Sequence, residues 1–294
     1  MDSALDSHRS AAARRRAPLA AVAATGFLVA IKVAGTLATG SLALGSAALD
    51  SLLDLFISAA NAVVLRRSAA PPDADHAYGH GKFENLAELA QGLFLAGASL
   101  SLGAVGVRRL LTREVPHADG IGAAVLVVSI ATSLWVARHL GRAARATGSP
   151  ALHADSRHYH ADLWVNAAAL AALLVVRWTG WWPADPLVAL AVAVYVLYTA
   201  FGLLREALGD LTDRGLPEEE LRRIEAVVAA FAPQVVGMHD LKTRTAGGQR
   251  FVELHLEIPR ATSFADAHDL TVRVLRAVEG EIPRSKVFVH GDPV

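Results

Sequence analysis

Six stretches of this chain are long and apolar enough to cross a bilayer, at about 19–39, 42–65, 86–107, 121–140, 155–178 and 187–208. Inside hydrocarbon every backbone N–H and C=O must be satisfied within the protein, so runs of ~20 apolar residues can only be helices packed on one another. The fifth run opens on polar residues. Its unbroken apolar part begins at Leu163, and it spans comfortably only if the helix takes in His158 and Asp162. With 53% hydrophobic and 19% charged residues, the chain lies outside the range of an ordinary soluble domain. The first run follows Arg14-Arg15-Arg16 and reaches Thr39, too far for the apolar region of a signal peptide, so we expect a retained helix.

The expected fold is an α-helical membrane protein with six transmembrane helices (18–210), preceded by a short cytoplasmic segment (1–17) and followed by a cytoplasmic domain (211–294). With six spans, both termini and the 66–85 and 138–157 loops share one side. Near the helix ends that side carries Arg9, Arg14, Arg15, Arg16, Arg66, Arg67, Lys82, Arg138, Arg142, Arg145 and Arg157, against Arg108, Arg109, Arg113 and Arg177 on the other. The excess of basic residues puts both termini in the cytoplasm, in the inner membrane of a cell. Trp178, Trp181 and Trp182 form an interfacial aromatic belt at the outer end of span five. Gly92, Gly97, Gly103 and Gly106 give span three a small-residue face for close packing. Lys32 lies towards the outer end of span one and is expected to snorkel to the interface.

The tail alternates differently. Pro217 and three glutamates open a helix to about Phe231, with acids in the first turn where the helix dipole favours them. Strands at 237–245 and 249–258 flank Gly247-Gly248 as a hairpin. An amphipathic helix (264–281) and a last short strand (286–290) complete an α-ββ-α-β order, long enough at ~80 residues to fold as a unit.

Net charge is zero, giving no basic field for nucleic acid, and cysteine is absent. Any transition metal must therefore be held by His, Asp and Glu. Asp50 and Asp54, four apart in span two, share one helical face, as do His158 and Asp162 in span five. A charged side chain at mid-membrane costs at least ~2.5–3.5 kcal/mol on insertion scales. Simple ion pairing does not explain the set, because three acids exceed what one histidine neutralises and Lys32 is nearly the sole basic residue at this depth. Two residues from each of two helices can close four-coordinate around a divalent cation. His160 points ~160° from His158 on a helix and is expected to stand aside.

A second set, Asp73, His76 and His80, falls in the loop between spans two and three. Its spacing suits either a mononuclear site on a turn or an exposed polar loop. Gly79-His80-Gly81-Lys82 lacks the length and the Ser/Thr of a phosphate loop. The tail holds His239, His255, His268, His290 and Asp292, which composition alone reads as surface histidines.

Taken together, these motifs resemble the cation diffusion facilitator family, in its bacterial zinc- and iron-efflux branch. The resemblance rests on Asp50-xxx-Asp54, His158-xxx-Asp162, Asp73-xx-His76-xxx-His80 with Gly81-Lys82, the 237–244 segment and Val289-His290-Gly291-Asp292, and covers nearly the whole chain. It implies homodimers that exchange cytoplasmic divalent cations for protons, with a ferredoxin-like cytoplasmic domain. By it Asp50, Asp54, His158 and Asp162 are the transport site, and Asp73, His76 and His80 a loop site. His239, His255, His268, His290 and Asp292 are a binuclear regulatory site, and Lys82 pairs with Asp213. Gly291 departs from the polar residue expected there. Zn²⁺ is the expected cargo and structural or regulatory metal, because an imidazole among three carboxylates suits it better than manganese; Fe²⁺, Cd²⁺ and Co²⁺ are the other candidates. An enzyme is not expected: an intramembrane protease is disfavoured, since the chain lacks His-Glu-x-x-His and Gly-x-Gly-Asp. The remaining alternative, a membrane-anchored metal sensor, leaves the buried acids without a purpose.

Overall fold

The computed structural model describes residues 2–39, 42–113 and 120–294. Two compact units emerge, Met1–Ala207 and Leu208–Val294. The first holds helices α1 (Asp2–Thr39), α2 (Leu42–Ser68), α3 (Lys82–Thr112), α4 (Gly120–Thr147), α5 (Pro150–Thr179) and most of α6 (Ala184–Leu211). All six contain a window apolar and long enough to cross a membrane. The side chains of Arg9, Arg14 and Arg15, which enter the orientation argument, lie outside the described residues.

The bundle is organised around α5. Ala151, Leu152 and Tyr159 pack with Ala17 and Ala21 of α1 and with Val136, Ala137 and Leu140 of α4. Ala154 and Ala161 pack with Leu95 of α3 and with Val196, Ala200 and Leu203 of α6. Helix α5 begins earlier than its apolar run because Ser149 caps it, accepting a hydrogen bond from the Leu152 N–H, and Pro150 occupies the first turn, where its missing donor costs nothing. At the other end Gly180 closes the helix with φ 68°.

Glycines in α3 set its approach to α6, but not all of them. A Cβ on Gly92 would sit 2.9 Å from Leu204 Cδ2 and 3.3 Å from the Leu204 backbone nitrogen, and one on Gly106 would sit 3.1 Å from Leu190 Cγ. Gly103 has ordinary room, and Gly97 faces open space, so it takes no part in packing within one chain. Trp178 and Trp181 are exposed, at 77% and 54%, as aromatic rings at an interface should be. Lys32 does not snorkel. It is 8% exposed, and its Nζ donates to Ser51 Oγ at 2.7 Å.

The second unit contains α7 (Glu218–Ala229), β1 (Gly237–Ala246), β2 (Gln249–Ile258), α8 (Phe264–Glu281) and β3 (Ser285–Pro293). Strand order is β1-β2-β3, with β1 antiparallel to β2 and β3 parallel to it. The hairpin turns on Gly247 and Gly248, at φ 58° and 81°, a pairing that glycine adopts without a Cβ penalty. Val252, Leu254 and Leu256 of β2 pack with Ile224 and Val228 of α7 and Leu270, Val274 and Val278 of α8. Both helices therefore cover one face of the sheet, and β2's alternation sends His255 to the other.

Gly92→Ala should lower the thermal stability of the detergent-solubilised protein, by about 1–3 kcal/mol, the usual cost of forcing a methyl into a packed contact. Gly97→Ala should leave it unchanged, and a size-exclusion thermal-shift assay reads both.

Candidate metal centre within the membrane helices

Helices α2 and α5 bring Asp54, His158 and Asp162 together. His158 Nε2 lies 3.2 Å from Asp54 Oδ1 and 3.5 Å from Asp162 Oδ2, and one ligand atom of each falls within 4.8 Å of the others. Tetrahedral Zn²⁺ with bonds near 2.0–2.1 Å separates its ligand atoms by about 3.3 Å. The two separations from His158 lie close to that edge, and the third falls within 4.8 Å. The imidazole is sealed at 2% exposure, while the Asp54 and Asp162 side chains keep 21% and 26%. Phe94 and Tyr159 hold the imidazole ring edge-on or tilted, at centroid distances of 5.9 and 5.5 Å. Tyr159 is itself fixed by hydrogen bonds with Ser58 and Thr25.

Asp50, expected as the fourth member, is exposed and outside this group. It sits one helical turn before Asp54, a rise of about 6 Å, and its carboxylate is not drawn in with the other three. His160 is exposed and also outside.

A buried polar layer beside this group went unpredicted. Asp155, fully buried, accepts from Gln91 Nε2 at 3.2 Å, and Gln91 accepts from Asn61 Nδ2 at 2.9 Å. Glu84, also fully buried, accepts from the hydroxyls of Ser68 and Ser149, tying the ends of α2 and α3 to the cap of α5. The signal was present: Glu84, Glu88 and Gln91 recur at helical spacing on one face of α3.

The loop before α3 also folds into a cluster. Asp73 Oδ1 accepts from the backbone N–H groups of His76 and Asp75 at 2.7 and 3.1 Å, a local turn that aims the carboxylate at both imidazoles. His76 Nδ1 lies 3.3 Å from Asp73 Oδ1, and His80 Nε2 3.2 Å from Oδ2. The His76 backbone N–H holds the Asp73 carboxyl below its ordinary pKa.

In the second unit, strand register does the assembling. His239 stands opposite His255, and His255 opposite His290, so three imidazoles line up across three strands. Asp292 Oδ2 meets His255 Nδ1 at 2.8 Å and His239 Nε2 at 3.3 Å; its Oδ1 lies 3.3 Å from His290 Nε2. His239, His255 and Asp292 satisfy the geometry of a metal-holding group, with His290 alongside. Glu257, in register with Asp292 and 3.3 Å from His239 Nδ1, joins them unpredicted. His268 does not. It is exposed on α8, the helix layer, so within one chain it stands across the sheet from the other histidines. A side chain at Gly291 would meet Ile258 and Thr271 at 3.2 and 3.7 Å, on the helix side. The glycine therefore removes no ligand from the histidine row. Asp213 accepts from Arg244 Nη1 at 3.5 Å.

Comparison with known proteins identifies the family. Residues 19–212 match the cation efflux transmembrane domain, and residues 216–294 match the cation efflux protein cytoplasmic domain. The chain belongs to the cation efflux family. Among relatives, the cation-efflux pump FieF of Serratia proteamaculans is 40% identical over 279 residues, covering 95% of this chain and 92% of that one. FieF of Cronobacter sakazakii is 40% identical over 278 residues and that of Klebsiella pneumoniae 38% over 278, each with the same coverage. As a cation efflux family member the chain is a multi-pass membrane transporter rather than an enzyme, and its cytoplasmic domain is of the family's dimer-forming type.

The His255 hydrogen bond holds the Asp292 carboxyl below its ordinary pKa, with the other two histidines adding to it, and Lys242 does the same for Asp240. A carboxyl depressed in the folded state contributes stability above its unfolded pKa of ~3.9, lost as pH falls through the folded value. The melting temperature of the cytoplasmic domain should therefore fall as the pH drops below about 4. His255→Ala should raise the Asp292 carboxyl pKa, read by carbon-detected NMR titration.

Proposed function

We propose that this protein exports a divalent cation, Zn²⁺ foremost, in exchange for protons, through the Asp54–His158–Asp162 group with Asp50 as fourth ligand. The observation that carries this reading is the set of ligand separations at 3.2 and 3.5 Å within apolar spanning helices. Carboxylates at such depth are retained where they bind ions or move protons. Metal binds only the deprotonated carboxylate and the neutral imidazole, so loading displaces protons and an acidic exterior expels the metal. The His158 imidazole proton and the metal compete for the same nitrogen. Rocking of the helices would expose the group to each side in turn.

In this reading both termini are cytoplasmic and the protein works as a homodimer in the inner membrane. Asp73, His76 and His80 gather cations at the mouth, and Lys82 and Asp213 join the membrane and cytoplasmic parts. His239, His255, His290 and Asp292 hold metal that stabilises or regulates the cytoplasmic domain. Their mixed imidazole and carboxylate donors suit Zn²⁺, with Fe²⁺, Co²⁺ and Cd²⁺ as further cargo.

In reconstituted vesicles an imposed pH gradient should drive Zn²⁺ flux, and Asp54→Ala should abolish it. Flux indifferent to the gradient would remove the antiport claim; metal binding without flux in the unaltered protein would favour a sensor. His158→Asp should cost zinc discrimination, read as a changed Zn²⁺/Cd²⁺ flux ratio, because the site loses its imidazole and keeps oxygen donors only; an unchanged ratio would count against this reading.

A further inference from the structure

Lys32 is the feature of the membrane unit that the transport chemistry leaves unused. Its side chain is 8% exposed, yet lysine near a span end ordinarily reaches for water. Here it turns inward across the α1–α2 contact, and Nζ donates to Ser51 Oγ at 2.7 Å. Ser51 is 1% exposed. It follows Asp50 directly and precedes Asp54 by three residues on α2, so the hydroxyl fixes the ammonium on the stretch of helix that bears both carboxylates. Asp54, Asp162 and Asp50 lie within electrostatic reach of the ammonium, whose burial works against its charge.

We propose that Lys32 is a tethered counter-cation of the transport site, held by Ser51 to offset the carboxylates when no metal is bound. The proposal rests on the transport reading above. A site of three carboxylates in low dielectric would hold a divalent cation too tightly to release it, and would carry a large uncompensated charge on its empty return. A fixed positive charge outside the ligand sphere weakens metal binding and lowers the cost of the empty state. It cannot itself ligate while it keeps its proton. The side chain thus acts through the carboxylates, as a positioning charge.

Zn²⁺ flux into vesicles carrying the full-length protein, at pH 8 where protons compete least, separates the two parts of this role. Lys32→Met should lower the half-saturating Zn²⁺ concentration by about tenfold, from loss of one nearby unit charge, and lower maximal turnover together with it. Lys32→Arg should restore both, because the charge is kept; Ser51→Ala should fall between, with the ammonium untethered. A structural role alone would reduce turnover without tightening half-saturation, so unchanged or weaker half-saturation in Lys32→Met overturns the proposal. If Lys32→Met fails to assemble, Ser51→Ala carries the same test, and unchanged half-saturation there overturns it. Failure of the transport reading appears separately, as flux that survives Asp54→Ala.

Discussion

Acidic and polar groups in a bilayer need partners within the protein, and this requirement shapes the membrane unit. Asp54 and Asp162 find His158 between them, Asp155 finds Gln91, and Glu84 finds two hydroxyls. Each arrangement draws residues from different helices, so the same contacts that make the charges tolerable also fix α2, α3 and α5 against one another. The cluster at His158 differs from the other two. Its three groups are spaced for a cation, and its carboxylates remain partly open. Hydrogen bonding secures the rest of the layer; this part has the donor set and spacing that could hold a metal ion.

The cytoplasmic domain reaches a comparable donor set by another route. Period-two alternation puts the apolar side chains of β2 under the helices and leaves His255 on the open face. Register then aligns His239 and His290 with it. The resulting donor set is partly open to solvent, as the stabilising or regulatory part proposed for it requires.

Much of this was legible in the sequence. The six spans, the tail's element order and the pairing of α2 with α5 follow from apolar runs, glycine turns and four-residue spacing. What escaped depended on information that spacing does not carry. The start of α5 was placed at 155, although Ser149-Pro150 is a helix-opening pair; hydropathy hid the cap. Lys32 was assigned to the interface because depth was judged along the helix axis, whereas its burial depends on which neighbour it faces. The same holds for Gly97, whose helix face meets nothing. Asp50 and His268 lie apart from the groups that one chain brings together, one turn along the axis in one case and across the sheet in the other.

The central claim is that a divalent cation sits among Asp54, His158 and Asp162. It is tested most directly by the anomalous scattering of Zn²⁺ soaked into crystals of the full-length protein. The account predicts a peak about 2.0–2.1 Å from a nitrogen of His158 and from carboxylate oxygens of Asp54 and Asp162. Peaks confined to the loop and the histidine row, with none between α2 and α5, would contradict it.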